Sequence, residues 1–273
     1  MMPPLSPKSS FSGWRILVFA TIALGLTGPG QTIGVSVFID HFAEDLNLSK
    51  NAIASGYAIG TLCGALAMPT VGLWIDRYGV RRAMTIIATL FAGALFYMSG
   101  VQGIISLTIG FWFIRMLGQG SLSLVSNVAV SLWFEQRRGL ALGLTMTISS
   151  AMMALVPVGL SFTIAQWGWR TAWIVSASTV AMVVIPLAWF GIIDRPSSVG
   201  QHPDGLDPHP DPQKRAAVRP SMDRSAALRT RAFWVLAAAS GGASMLSTGL
   251  NFHQIALLGE SGFNQTEAAI MFL

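Results

Sequence analysis

An all-α membrane protein is the fold class this sequence predicts, and three observations carry the prediction. Only 11% of the 273 residues are charged against 52% hydrophobic, with a mean hydropathy of +0.58. An average soluble domain carries roughly 25% charge, so this chain lacks the charge to cover a soluble surface. Apolar runs of about 20 residues, the length that crosses ~30 Å of hydrocarbon, recur along it. The 17 Lys and Arg residues gather in short tethers between those runs, which turns a pI of ≈ 10.0 away from nucleic-acid binding and toward membrane topology.

Element by element, the runs predict helices over roughly 14–38, 52–74, 83–102, 104–134, 139–167, 171–192 and 232–258, with an eighth beginning near Glu267. The first follows Lys8 and Arg15. It resembles a signal peptide only at that charged start, since its apolar stretch is too long and no small-x-small cleavage site closes it. The break Thr27-Gly28-Pro29-Gly30-Gln31-Thr32 interrupts it and makes Gln31 a pocket candidate, because freed backbone groups at membrane depth persist only where they line a cavity. The second carries Gly56, Gly60 and Gly64 at every fourth residue, a stripe that permits tight helix contact. Cys63 lies in the same run and reads as a buried, inert thiol; a lone cysteine excludes a disulfide framework.

In the fourth run, Arg115 is the single charge deep in a span. Twelve residues from Gly103 at ~1.5 Å each place it ~18 Å inward, near the midplane. A central Arg costs at least about 2.5 kcal/mol unless paired or solvated, so it should face a polar cavity or a partner. No Asp or Glu stands in mid-span to pair with it. Tyr57, Asn127, Asn251 and His253 are the remaining pocket candidates; His253 also has the residue type for proton coupling. Each of these equally suits hydrogen bonding between helices.

Fourteen basic residues fall in loops on one side, among them Lys8, Arg15, Arg137 and Arg195, against Lys50 and Arg170 on the other. That asymmetry predicts a cytoplasmic N-terminus. Residues 193–230 hold six of the 13 prolines and no apolar run, so they read as a cytoplasmic linker unable to offset its ordering entropy. The expected domains are a six-helix bundle over 1–192, the linker over 193–230, and the start of a second bundle over 231–273. Leu46-Asn47-Leu48-Ser49-Lys50-Asn51-Ala52-Ile53 is echoed by Phe263-Asn264-Gln265-Thr266-Glu267-Ala268-Ala269-Ile270. The echo predicts two parallel halves, of which the chain carries the first and the start of the second. The missing C-terminal half of the same polypeptide is then a partner, with the lipid bilayer.

Between helices two and three stands Gly72-Leu-Trp-Ile-Asp76-Arg77-Tyr-Gly79-Val-Arg81-Arg82. This Gly-x-x-x-Asp-Arg-x-Gly-x-Arg-Arg string resembles the cytoplasmic signature of the major facilitator superfamily. Gly72 is expected to allow close helix approach, Gly79 a tight turn, and Asp76 to face a helix N-terminus or pair with arginine. The resemblance implies a six-plus-six helix fold whose halves rock, with such contacts gating the cytoplasmic side. Between helices four and five, Trp133-Phe134-Glu135-Gln136-Arg137-Arg138-Gly139-Leu140-Ala141-Leu142-Gly143 is similar to a string of the monocarboxylate and oxalate–formate branch. It makes Glu135, Arg137 and Arg138 gate candidates. Ser12-Gly13-Trp14-Arg15, Gly168-Trp169-Arg170 and Arg195 through Gly205 fit that branch loosely. Thr145, Thr147 and Ile148 depart from it, standing where small residues are usual, and Ile148 is expected to disturb the packing of helix five.

What the resemblance implies is a secondary transporter of small organic anions, monocarboxylate-like, working by alternating access, with a proton as a candidate coupling partner. It also implies a multi-pass protein of a bacterial-type inner membrane. No covalent catalysis, cofactor, metal site or nucleic-acid partner is expected. A drug or sugar carrier is the alternative within the fold, although helix five offers only Pro157 and Gly159 of the Gly-Pro-x-x-Gly-Gly string of drug antiporters. A truncated, non-transporting fragment is another. A seven-helix receptor is a reading from a different class, opposed by the cytoplasmic N-terminus and by Lys8, Lys50 and Lys214 all standing outside the spans.

Overall fold

A computed structural model describes residues 11–205, 224–263, 267 and 271. The expected start of an eighth helix, the echo at Asn264–Thr266 and most of the linker lie outside the described residues. Every regular element among those described is helical.

The first run is a broken rod. Helix α1 (Gly13–Gly25) gives way to a single 3-10 turn at Gly28–Gly30, then α2 (Thr32–Ser36) and α3 (Ile39–Asp45). Pro29, without an N–H, sits at the start of that turn, and Gln31 is extended at φ −82°, ψ 161°. The rod thus runs past the expected 38 to Asp45. Helix α4 (Lys50–Tyr78) begins at Ser49, whose side chain accepts from Ala52 N at 3.2 Å, satisfying an orphan donor of the first turn. One residue, Gly79 at φ +80°, ends α4 and starts α5 (Val80–Met98).

Helix α6 (Ile104–Ile114) continues into a π-helical segment, Arg115–Leu122, before α7 (Ser123–Trp133). Helix α8 (Arg138–Thr179) is two limbs meeting at Gly168, φ +80°, ψ 163°, and two further π-helical stretches carry it to Gly191. The loop expected at 168–170 is therefore one glycine. A short helix, α9 (Arg224–Leu228), precedes the long α10 (Arg231–Glu260).

Packing follows the small residues. A Cβ on Gly56, Gly60 or Gly64 would stand 2.6 Å from Thr108 Oγ1, 2.7 Å from Trp112 N and 3.2 Å from Met116 N. The α4 stripe therefore lies directly against α6 and the π segment, as backbone-close helix contact in a membrane requires. Cys63, next to that stripe, is exposed rather than buried; one residue of helix turns it through about 100°, off the packed face. Gly72 has nothing within 4 Å of a Cβ, so it makes no close approach. Ile148 is 46% exposed and disturbs no packing, while Thr145 is the one of the three departures that is buried.

At the end where α3 stops, Phe38 stacks on Trp173 at 4.2 Å and Phe42 meets Trp169 edge-on at 5.1 Å. Asp45 closes this end, accepting from Trp169 Nε1 at 2.8 Å and Arg170 Nη1 at 2.7 Å. Those hydrogen bonds, the Trp169 one foremost, hold its carboxyl below the ordinary 3.8.

At the opposite end, the first part of the linker is not free chain. Asp204, φ +60°, accepts three backbone hydrogen bonds, from Glu135 N (2.9 Å), Gln136 N (2.7 Å) and Arg137 N (3.2 Å). Trp133 Nε1 donates to Ile193 O at 3.1 Å, and Ser12 N to Gln201 Oε1 at 3.0 Å. Residues 193–205 are therefore bound to the bundle through polar groups, which a count of apolar residues misses.

Candidate functional site

The broken first rod, the π segment, α8 and α10 line an open cavity of ≈ 450 Å³. Gln31, Thr32 and Ile33 line it from the first rod and Gln119 from the π segment. Met153 comes from α8, and Ala243, Ser244, Ser247, Thr248 and Asn251 from α10. Every polar group in this lining is an amide or a hydroxyl. Gln31 Nε2 donates to Thr27 Oγ1 at 2.9 Å and Asn251 Nδ2 reaches Ser247 Oγ at 3.4 Å, each within its own segment, and the sequence-predicted Gln31 and Asn251 line the same cavity.

Arg115 lies directly behind this cavity, 7% exposed. Its Nε donates to Thr61 Oγ1 at 3.1 Å and its Nη1 to Thr32 Oγ1 at 3.3 Å. Its guanidinium sits 5.0 Å from the Tyr57 ring centroid, a cation–π arrangement. Tyr57 OH donates to the same Thr32 Oγ1 at 2.9 Å. Thr32 is thus the link: it touches Arg115 and Tyr57 on one side and the cavity on the other. The π turn that begins at Arg115 adds a residue to the helix there, a distortion frequent at functional sites. No carboxylate meets Arg115 among the described residues.

Phe252 closes the arrangement from α10. It is 5% exposed, with its ring 4.7 Å from that of Tyr57, whereas the α10 side chains from Arg231 to Ser247 are exposed. Among the described residues, helix α10 therefore meets the rest of the protein near Phe252, toward the Asp45 end, and has its side chains exposed toward the Arg231 end.

Two candidates are placed elsewhere. Asn127 turns Nδ2 to Ser123 O at 3.0 Å and leaves Oδ1 buried without a partner, outside the cavity lining. His253 is exposed, its ring 5.2 Å from Phe252, and does not line the cavity either. Conversely, Thr32, Thr61, Gln119 and Phe252 were not among the pocket candidates drawn from the sequence. A signal existed for the α10 wall: Ser244, Ser247, Thr248 and Asn251 recur at one helical face.

The signature loop is built differently from expectation. Gly79 makes its turn as expected, but the carboxylate that caps α5 is Asp194, which accepts from Arg81 N at 2.8 Å. A Cβ on Gly79 would stand 2.6 Å from Asp194 Oδ1, so the glycine is required twice over. Asp76 is exposed, lines a small crevice with Asp194 and Arg195, and has no hydrogen bond or ion pair among the described residues. Arg81 lies 5.0 Å over the Trp189 ring and Arg77 5.7 Å over Tyr78. Arg82 and Arg137 are exposed, and Arg138 Nε donates to Phe134 O at 3.2 Å. Glu135 and Arg137 join this region through their backbone N–H groups rather than their side-chain charges.

Residues 10–273 match the family model described as the Major Facilitator Superfamily. Among curated proteins, the chain is 25% identical over 198 residues to monocarboxylate transporter 14 of Homo sapiens, covering 70% of this chain and 37% of that protein. It is 28% identical over 144 residues to monocarboxylate transporter 9 of Pongo abelii, covering 52% and 28%. An uncharacterized MFS-type transporter of Bacillus subtilis (strain 168) is 20% identical over 181 residues, covering 66% and 44%. The chain spans less than half the length of each of these relatives.

Proposed function

Given that the chain belongs to the Major Facilitator Superfamily, and is an integral multi-pass membrane protein, we propose that it forms the first bundle and seventh helix of a secondary transporter for small organic anions of the monocarboxylate class. The observation that carries the reading is Arg115: a guanidinium 7% exposed, held among the described residues only by hydroxyls and an aromatic ring, one threonine away from a polar cavity. A buried charge without a counter-charge is costly, and an anion entering from the cavity through Thr32 would relieve that cost. The names of the curated relatives support the same class.

The reading carries alternating access with it, the cavity between the first bundle and α10 opening to one membrane face at a time. Residues 1–192, 193–230 and 231–273 serve as bundle, linker and start of the second bundle, with the basic end cytoplasmic and the linker anchored as far as Gly205. Asp194 and Asp204 fix the two basic loops that the rocking motion must carry.

A neutral-solute carrier is the second reading, favoured by the absence of charge from the cavity lining itself. The test is ligand-dependent thermal stabilisation of the purified chain with acetate, pyruvate or another short carboxylate, against a hexose and a lipophilic cation. Carboxylates should raise the melting temperature in wild type and lose that effect in Arg115→Gln. Stabilisation by the hexose alone, or carboxylate stabilisation that survives Arg115→Gln, refutes the anion assignment.

A further inference from the structure

On the outer side of the bundle, between α4 and α5 and floored by the π segment, runs a second hollow of ≈ 210 Å³. Its walls are apolar: Ala67 and Trp74 from α4, Ile86 and Leu90 from α5, with Met116 and Leu117 beneath. Trp74 and Leu90 are each about half exposed, at 51% and 54%, so the hollow is open along its length. It has no share in the cavity beside Arg115.

The two walls continue beyond the hollow in helical register. On α4, Arg77 lies three residues past Trp74; on α5, Arg82 lies four residues before Ile86. Residues three or four apart share a helix face, so both guanidinium groups stand at the same end of the groove, one turn above its apolar walls. Arg82 is exposed and has no hydrogen bond or ion pair among the described residues, and Arg77 has only the Tyr78 ring. From Arg82 to Leu90 the rise is about 12 Å at 1.5 Å per residue. That is a groove as long as part of an acyl chain, topped by two unneutralised cations.

We infer that this groove holds one phospholipid of anionic headgroup, its phosphate between Arg77 and Arg82 and an acyl chain between Trp74 and Leu90. Charge and apolar surface are arranged in the order a lipid presents them, headgroup at the membrane edge and tail inward. Basic residues at a membrane edge attract anionic lipids, and here the adjoining groove gives that attraction a defined place. The signature loop then carries a lipid on its outer side while Asp194 fixes it from within.

Native mass spectrometry of the purified, delipidated chain tests this, with phosphatidylglycerol and phosphatidylcholine of identical acyl chains offered together. Wild type should retain phosphatidylglycerol in roughly tenfold preference, two arginines each contributing severalfold, and inorganic phosphate should not displace it. Arg77→Gln with Arg82→Gln should abolish the preference while lipid of either kind still binds. Thr70→Phe, which fills the groove from an exposed position, should reduce retention of both lipids without changing the melting temperature. Equal retention of the two lipids by wild type, an unchanged preference in the double arginine variant, displacement by free phosphate, or no retained lipid at all overturns the inference. The last outcome would mean that another part of the polypeptide covers the groove.

Discussion

Gly60→Ala should destabilise the protein while Gly72→Ala should not, although both glycines lie in the same helix. At Gly60 an added Cβ would stand 2.7 Å from Trp112 N and 3.0 Å from Phe111 Cβ, where ordinary contact begins at 3.4 Å. The nearer obstacle is backbone and cannot turn aside, so α4 and α6 must separate by about 0.7 Å at that level. Overpacking of this kind costs about 1–3 kcal/mol. At Gly72 nothing lies within 4 Å, and alanine gains up to about 1 kcal/mol of helix preference. The same gain accrues at Gly60, so overpacking alone separates the two variants, and with roughly 2–4 °C of melting temperature per kcal/mol for a chain of this order they should differ by roughly 2–12 °C. Intrinsic tryptophan fluorescence during thermal unfolding in detergent measures this directly. If Gly60→Ala melts at or above Gly72→Ala, close approach at the stripe is not what holds α4 in place. Because Gly64 faces Met116 beside Arg115, Gly60→Ala should also weaken carboxylate stabilisation.

Other expectations concern the two ends. Asp204→Ala leaves three N–H donors at 135–137 unpaired, at a cost of about 1–3 kcal/mol; hydrogen exchange of those amides should accelerate, and unchanged protection would show that Asp204 does not hold the loop. Asp45 has its carboxyl pKa lowered by Trp169 and Arg170. Its contribution is therefore complete above the ordinary 3.8 and is lost as pH falls below that through the lowered value; Trp169 emission should change only in that acid range, and Asp45→Asn should remove the transition. Phe252→Ala should raise labelling of a Tyr57→Cys reporter by a water-soluble maleimide, in a Cys63→Ser background, because Phe252 covers the Tyr57 face at 4.7 Å. Labelling that does not change would remove Phe252 from the closure.

The helical class, the broken first rod and the glycine stripe were legible because each follows from a local rule: run length, Pro-Gly punctuation, and a four-residue spacing. The exposure of Cys63 was legible as well, had its phase against Gly64 been followed. Arg115 was found by its charge alone, but its surroundings were not, since they are assembled from Thr32, Tyr57 and Thr61 on other helices. The π segment that sets its direction leaves no periodic mark in the sequence. Asp76 drew attention through its motif, whereas the carboxylates that cap the basic loops, Asp194 and Asp204, arrive from the linker. Long-range capping of this kind has no spacing by which a sequence betrays it.

Gly79 and Gly168 share one backbone conformation, φ +80° with ψ 164° and 163°, each serves as the entire connection between two helical limbs, and each is followed two residues later by an arginine. One turn is at the linker end of the bundle and the other at the Asp45 end. The two turns stand at equivalent places in two successive three-helix units of opposite direction, the relation that a two-fold axis lying in the membrane plane produces. The same turn is crowded by Asp194 at one face and, among the described residues, has nothing within 4 Å of a Cβ on its glycine at the other, so a side chain at Gly168 would meet backbone strain alone whereas one at Gly79 would meet strain and a carboxylate.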